Sequence, residues 1–124
     1  MSAFLATKCI INKHNGTDEL SIINVGATAS LRGSANNAAF FVAKSALRTF
    51  SQSLAKEVAL SGIYVAHLVI DGLIANERTI KLNPGRPRNR YILEESIAKE
   101  VLHVSLQNRD CWTFEWDIRT NNAD

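Results

Sequence analysis

The run Ile63-Tyr64-Val65-Ala66-His67-Leu68-Val69-Ile70 constrains the fold more than any other part of this chain, because it is apolar almost without interruption. A strand with one wet face alternates polar and apolar residues, so this run predicts a strand covered on both faces, as in a parallel sheet. Leu20-Ser21-Ile22-Ile23-Asn24-Val25 is a second strand candidate, short, β-branched and bounded by Gly16 and Gly26. Between the two, from about Asn37 to Leu60, the residues Phe40, Ala43, Leu47, Phe50, Leu54 and Val58 recur at steps of three or four. That spacing predicts a long helix with one apolar stripe, stopped by Ser61-Gly62. Strand, helix, strand predicts a right-handed crossover and an α/β fold.

The flanks extend this unit. Ala3 to Lys13 carries Phe4, Leu5, Ile10 and Ile11 on helical spacing and ends at His14-Asn15-Gly16, where glycine allows a left-handed turn. Gly26 to Asn37 is a loop of small residues. Asn76 to Arg90 is polar and punctuated by Asn83-Pro84-Gly85 and Pro87, which predicts a mobile, lid-like loop. A helix is expected from about Leu93 to Gln107, with Ile97, Val101 and Val104 on one side. Trp112, Phe114, Trp116 and Ile118 alternate with Thr113, Glu115, Asp117 and Arg119, a period of two that predicts a third strand with the aromatics in the core. No repeat or low-complexity tract interrupts residues 1–124, which read as one small domain.

Charge excludes some functions. Fourteen Lys and Arg against twelve Asp and Glu are interspersed and leave a net +2, which is no electrostatic footprint for nucleic acid or an anionic membrane. Arg86, Arg88 and Arg90 form the one basic cluster and read as a solvated loop. Cys9 and Cys111 have no metal-ligand spacing, so no metal site is expected. The amino terminus lacks the basic start and apolar centre of a secretory signal, and no apolar run is long enough to span a bilayer. A cytoplasmic protein is the expectation. His14, His67 and His103 have no carboxylate or thiol at catalytic spacing and receive no acid–base role.

The chemistry-bearing segments are Val25 to Ser34, the helix segment Ala39-Phe40-Phe41-Val42-Ala43-Lys44-Ser45-Ala46-Leu47, and Ile63 to Asn76. Together they resemble the carboxy-terminal half of a short-chain dehydrogenase/reductase, which implies a partial Rossmann-like parallel sheet and NAD(P)-dependent hydride transfer between alcohol and carbonyl. In that family a tyrosine phenol moves the substrate proton, and a lysine one helical turn later lowers the phenol pKa and holds the nicotinamide ribose. Here Lys44 matches the lysine, Phe40 stands at the tyrosine position, and Ala27 stands at the serine position thirteen residues before it. Neither Phe40 nor Ala27 can donate a proton. The family loop Pro-Gly-x-Ile/Val-x-Thr, which meets the carboxamide and pyrophosphate, corresponds to Asp71-Gly72-Leu73-Ile74-Ala75-Asn76. The resemblance therefore implies cofactor contacts from Lys44, Gly72, Ile74 and Asn76, although Asp71 and Asn76 depart from the family pattern; Asp71 either adds a negative charge beside the cofactor path or caps the adjacent turn.

The sequence contains no Gly-rich phosphate loop of the kind that belongs to the other half of that fold. Two readings follow. In the first, the chain is a divergent or truncated oxidoreductase with little activity by itself. In the second, it is a non-catalytic interaction module, whose helices at about Ala3–Lys13 and Asn37–Leu60 correspond to those that build the family's four-helix dimer interface. Leu20–Val25 is expected to be an open sheet edge, covered by rearrangement, by a second copy or by a chain that supplies the missing half.

Overall fold

The computed structural model describes residues 2–122. Helix α1 (Ala3–Lys13) opens with the Ser2 hydroxyl accepting from the Leu5 N–H at 3.2 Å. Asn15 then closes the turn by accepting from the Thr17 and Asp18 N–H groups, and Gly16 takes φ +79°. Strand β1 (Leu20–Ala27) leads through a short 3-10 turn at Thr28–Ser30 into helix α2 (Ala38–Val58), and strand β2 (Ile63–Ile70) follows. The remainder is β3 (Leu73–Ile74), α3 (Glu77–Leu82), β4 (Tyr91–Ile92), α4 (Glu94–Ser105) and β5 (Glu115–Ile118).

The main sheet is parallel, in the order β1-β2-β5. All eight residues of β2 are buried, which is the physical meaning of its unbroken apolarity. Alternate residues serve opposite faces. Ile63 and Val65 join Ile22 of β1 and Leu54 and Val58 of α2 in one core, with Ile11 of α1 and Phe50 packed against it. Tyr64 and Ala66 face Val104 of α4, and Leu68 and Ile70 face Ile92, Ile97 and Val101. The two helices α1 and α2 therefore cover one face and α4 the other, the doubly wound α/β arrangement. Beyond the apolar layers, Tyr64 and Trp112 stack with ring centroids 4.8 Å apart and planes within 4°.

Three details differ from the sequence expectation. The apolar stripe of α2 is buried only in its carboxyl half: Leu54 and Val58 are core, with buried Ser51 one turn before Leu54, whereas Phe40 is 44% exposed and Ala43 is exposed. Its amino half instead meets the 3-10 turn after β1, where Ser45 Oγ donates to the Ala29 carbonyl at 3.3 Å. The third strand is shorter than 112–118; Trp112 is held in place by stacking on Tyr64, and ladder pairing starts with His67↔Glu115. The polar segment 76–90 is not a structureless loop. It contains α3, capped by the Asn76 side chain accepting from the Thr79 N–H at 2.9 Å, and it is bracketed by β3 and β4, which pair in parallel. Polar caps and two-residue strands leave almost no periodic signal, which is why this unit is hard to read from composition.

Removing the side chain that joins α2 to β1 and β2 tests this core. Leu54→Ala is expected to cost about 2–5 kcal/mol of unfolding free energy, whereas Val42→Ala, at a residue 69% exposed, should stay within about 0.5 kcal/mol. Chemical denaturation followed by circular dichroism measures both.

Candidate functional site

In open parallel sheets, ligands bind outside the carboxyl ends of the strands. A cleft of about 520 Å³ lies there, lined by Ala27 and Thr28 at the end of β1, Ile70 and Gly72 after β2, Phe40 and Phe41 of α2, and Arg32 and Ser34 of the intervening loop. A smaller cavity of about 210 Å³ sits at the opposite, amino ends, under Tyr64 and Trp112. The sequence-derived positions Ala27, Phe40 and Gly72 are thus brought together on one cleft wall. Gly72 has φ +153°, and a β-carbon there would stand 3.3 Å from Ile92 Cδ1, so the chain turns out of β2 where a side chain would be strained.

Lys44 stands one turn beyond Phe40, with its ammonium 6.0 Å from the Phe40 ring centroid and donating to the Val25 carbonyl at 3.2 Å. Ile74 and Asn76 lie in the small β3–α3–β4 unit. The Ile74 carbonyl accepts from Asn76 N–H at 3.0 Å and from the Thr79 hydroxyl. Hydroxyls near Ala27 are engaged elsewhere: Thr28 Oγ1 donates to Asp71 Oδ1 at 2.6 Å, and Ser30 Oγ accepts from the Ala27 N–H at 3.1 Å. Asp71, for which capping the adjacent turn is one expectation, instead bridges the ends of two strands through Thr28, with Arg119 3.6 Å away on its other oxygen.

Beneath the cleft a polar layer crosses all three strands on the α2 side. Asn24, His67 and Glu115 are neighbours in register. Asn24 donates to Ser51 at 2.9 Å, and Arg48 meets both oxygens of Glu115 at 2.7 and 3.2 Å. His67, 0% exposed, places Nδ1 3.0 Å from Glu115 Oε2. This corrects the expectation that His67 lacks a carboxylate partner: the two are 48 residues apart in sequence and meet only through strand pairing. The Arg48 hydrogen bond holds the Glu115 carboxyl below its ordinary range. Burial lowers the His67 pKa, although Glu115 opposes the shift. A neutral ring donating from Nδ1 fits both.

His67 Nε2 is buried without a hydrogen-bond partner, and the reason is steric. A β-carbon on Gly26 would lie 2.3 Å from Nε2 and 2.5 Å from Ser30 Oγ, so Gly26 is the residue that leaves room for the ring. Among the described residues no group of His, Cys, Asp and Glu is placed to hold a metal ion, and no helix is long and apolar enough to cross a membrane.

Two outcomes follow from this layer. Gly26→Ala should destabilise by about 1–3 kcal/mol through overpacking, and a double-mutant cycle should show that penalty shrinking in a His67→Ala background, where the nearer clash is gone. For pH, the folded state resists protonating His67, so the unfolded chain binds the extra proton as pH falls below the ordinary imidazole value of 6.5. Stability should therefore be full above about pH 6.5 and decline below it, with loss of the depressed Glu115 carboxylate adding to the decline at lower pH. Denaturation midpoints between pH 5 and 8, expected to depend less on pH in His67→Asn, measure this.

The profile of short chain dehydrogenases matches residues 1–86. Carbonyl reductase family member 4 from Xenopus laevis is 33% identical over 105 residues, a match covering 81% of this chain and 42% of the relative. The 3-oxoacyl-[acyl-carrier-protein] reductase of Rattus norvegicus is 44% identical over 81 residues, covering 65% of this chain and 30% of the relative. Among solved structures, a short-chain dehydrogenase from Rhodopseudomonas palustris superposes with a TM-score of 0.61 at 35% identity, over 82% of this chain and 38% of that one. At the level of fold alone, 4-hydroxyisoleucine dehydrogenase complexed with NADH and succinate reaches a TM-score of 0.72 at 20% identity, over 94% of this chain and 52% of that one. The chain spans less than half the length of each of these two curated relatives, and with the family profile matched over residues 1–86 and a parallel α/β sheet it belongs to the short chain dehydrogenase family.

Proposed function

We propose that this chain carries the nicotinamide- and substrate-facing half of an NAD(P)-dependent alcohol/carbonyl oxidoreductase and turns over slowly, if at all, as an isolated chain. The observation that carries this reading is the cleft itself, where Ala27 and Phe40 form an apolar wall at the two positions that supply hydroxyls in the family. Bound nicotinamide would give or accept the hydride. Lys44 is suited to hold its ribose, since a single 3.2 Å bond to a strand-end carbonyl restrains an ammonium at the helix surface. Gly72 lets the backbone approach the ring, while Asn76 is committed through its Oδ1 and its backbone to α3 and keeps its Nδ2 amide to donate to a cofactor oxygen. With no proton donor at residue 40, proton transfer falls to water or to substrate. The absence of positioned acid catalysis typically costs about a hundred- to ten-thousand-fold in rate.

A second reading has its own observation. Phe4, Leu5 and Ile10 on α1 and Val42 on α2 are exposed, and Val25 is exposed on β1, which has no strand partner on its outer side among the described residues. An unpaired strand edge beside exposed apolar helices suits a non-catalytic module that pairs with a second copy or with a chain supplying further strands. Light scattering at tens of micromolar should then show association.

Titration with NADH and NADPH, followed by nicotinamide fluorescence, separates the two. Saturable binding weakened by Lys44→Ala, with turnover at least about a hundredfold below that typical of enzymes, is the expected result. Cofactor should also slow trypsin at Lys81, Arg88 and Arg90 more than at Arg119. Equal cleavage with and without cofactor, and no fluorescence change, would leave the interaction module as the better account. Phe40→Tyr alone should not restore ordinary rates.

A further inference from the structure

The cations around the strand ends are almost all spoken for. Lys44 is bonded to the Val25 carbonyl and lies over the Phe40 ring, Arg48 is paired with Glu115, and Arg119 is paired with Asp71 and Asp117. Arg32 is different. Its side chain lines the cleft, is exposed, and has no hydrogen bond, ion pair or ring contact among the described residues. Ser34, two residues on, lines the same wall with a hydroxyl that is likewise without a partner.

The rest of the lining sets what can meet that guanidinium. No Asp or Glu lines the cleft, and Asp71, next in sequence to the lining residues Ile70 and Gly72, is held by the Thr28 hydroxyl at 2.6 Å with Arg119 on its other oxygen. Phe40, Phe41, Ile70, Ala27 and Ala29 supply the apolar part of the lining. An apolar pocket with one unpaired planar cation and an adjacent hydroxyl donor is complementary to an apolar body ending in an oxyanion, and a guanidinium fork with a neighbouring hydroxyl matches the two oxygens of a carboxylate.

We propose that Arg32, assisted by Ser34, is the anchor for a carboxylate in this cleft, so that its substrates are medium-sized molecules with an apolar body and a free carboxylate. The assignment rests on the reading above that the cleft receives substrate, but it concerns recognition and needs no hydride transfer. Because Arg32 is exposed, the attraction is screened by salt, and selectivity for the acid over the matching alcohol is largest at low ionic strength.

The test is binding to the whole chain without cofactor, by ligand-observed NMR and calorimetry, using hexanoate, hexanol, hexylammonium, hexyl phosphate and inorganic phosphate. Hexanoate should bind tighter than hexanol and hexylammonium and shift the Phe40, Phe41 and Ile70 resonances. Arg32→Gln should weaken hexanoate by about tenfold or more while leaving hexanol unchanged, and Ser34→Ala should weaken it less. Both positions are exposed, so circular dichroism should show the variants folded. Hexanoate no tighter than hexanol, insensitivity to Arg32→Gln, or no alkyl ligand bound at all would overturn the proposal. Hexyl phosphate or inorganic phosphate bound tighter than hexanoate would overturn it in favour of a phosphate site. A parallel NADH titration keeps the outcomes apart: loss of cofactor binding with carboxylate binding intact defeats the oxidoreductase reading alone.

Discussion

Everything in this molecule is arranged around a strand that water does not reach. Strand β2 is buried along all eight residues, between parallel partners at its edges and helices on both faces. Burial on this scale is possible because each backbone N–H and C=O in the middle of a sheet is bonded sideways, so only side chains decide which helix lies over which face. Parallel pairing on both sides then brings the carboxyl ends of β1 and β2 together with the residues that follow them. The cleft is a consequence of that alignment, and so is the meeting of Ala27, Phe40 and Gly72, which are far apart in the chain.

One layer of this otherwise apolar interior is polar, and it shows what a buried ionisable group requires. His67 sits at full burial because Glu115 receives its Nδ1 hydrogen and Arg48 in turn compensates the carboxylate. The layer ties α2 to the last strand by a charge-assisted bond, in addition to the apolar contacts that tie α2 to the first two. Its unsatisfied point, His67 Nε2, is left by the close approach of Gly26. Removing one partner of such a layer costs more than its net contribution, since the remaining groups stay buried and unpaired.

Above this layer the cleft wall is largely apolar. Phe40 and Phe41 meet edge to face with centroids 5.9 Å apart, and Thr28 and Asp71 satisfy each other across two strand ends. Polar capacity that remains open is concentrated in Arg32 and Ser34.

The sequence alone determined the strand–helix–strand unit, because an unbroken apolar run, a stripe at helical spacing and a Gly stop are local patterns that local energetics enforce. It also determined that Phe40 and Ala27 have no proton to give, wherever they are placed. It misplaced the upper part of the α2 stripe, because periodicity reports which residues share a face and says nothing of what lies beneath that face. It left segment 76–90 as a loop, because caps and two-residue strands have no period. What only the tertiary structure decided are the long-range pairs: Glu115 with Arg48 and His67, and Thr28 with Asp71, separated by 43 to 67 residues. Strand register brings these side chains within bonding distance, and no spacing along the chain encodes it. The same holds for Arg32, an ordinary loop arginine in sequence, which stands out only once Lys44, Arg48 and Arg119 are seen to have partners.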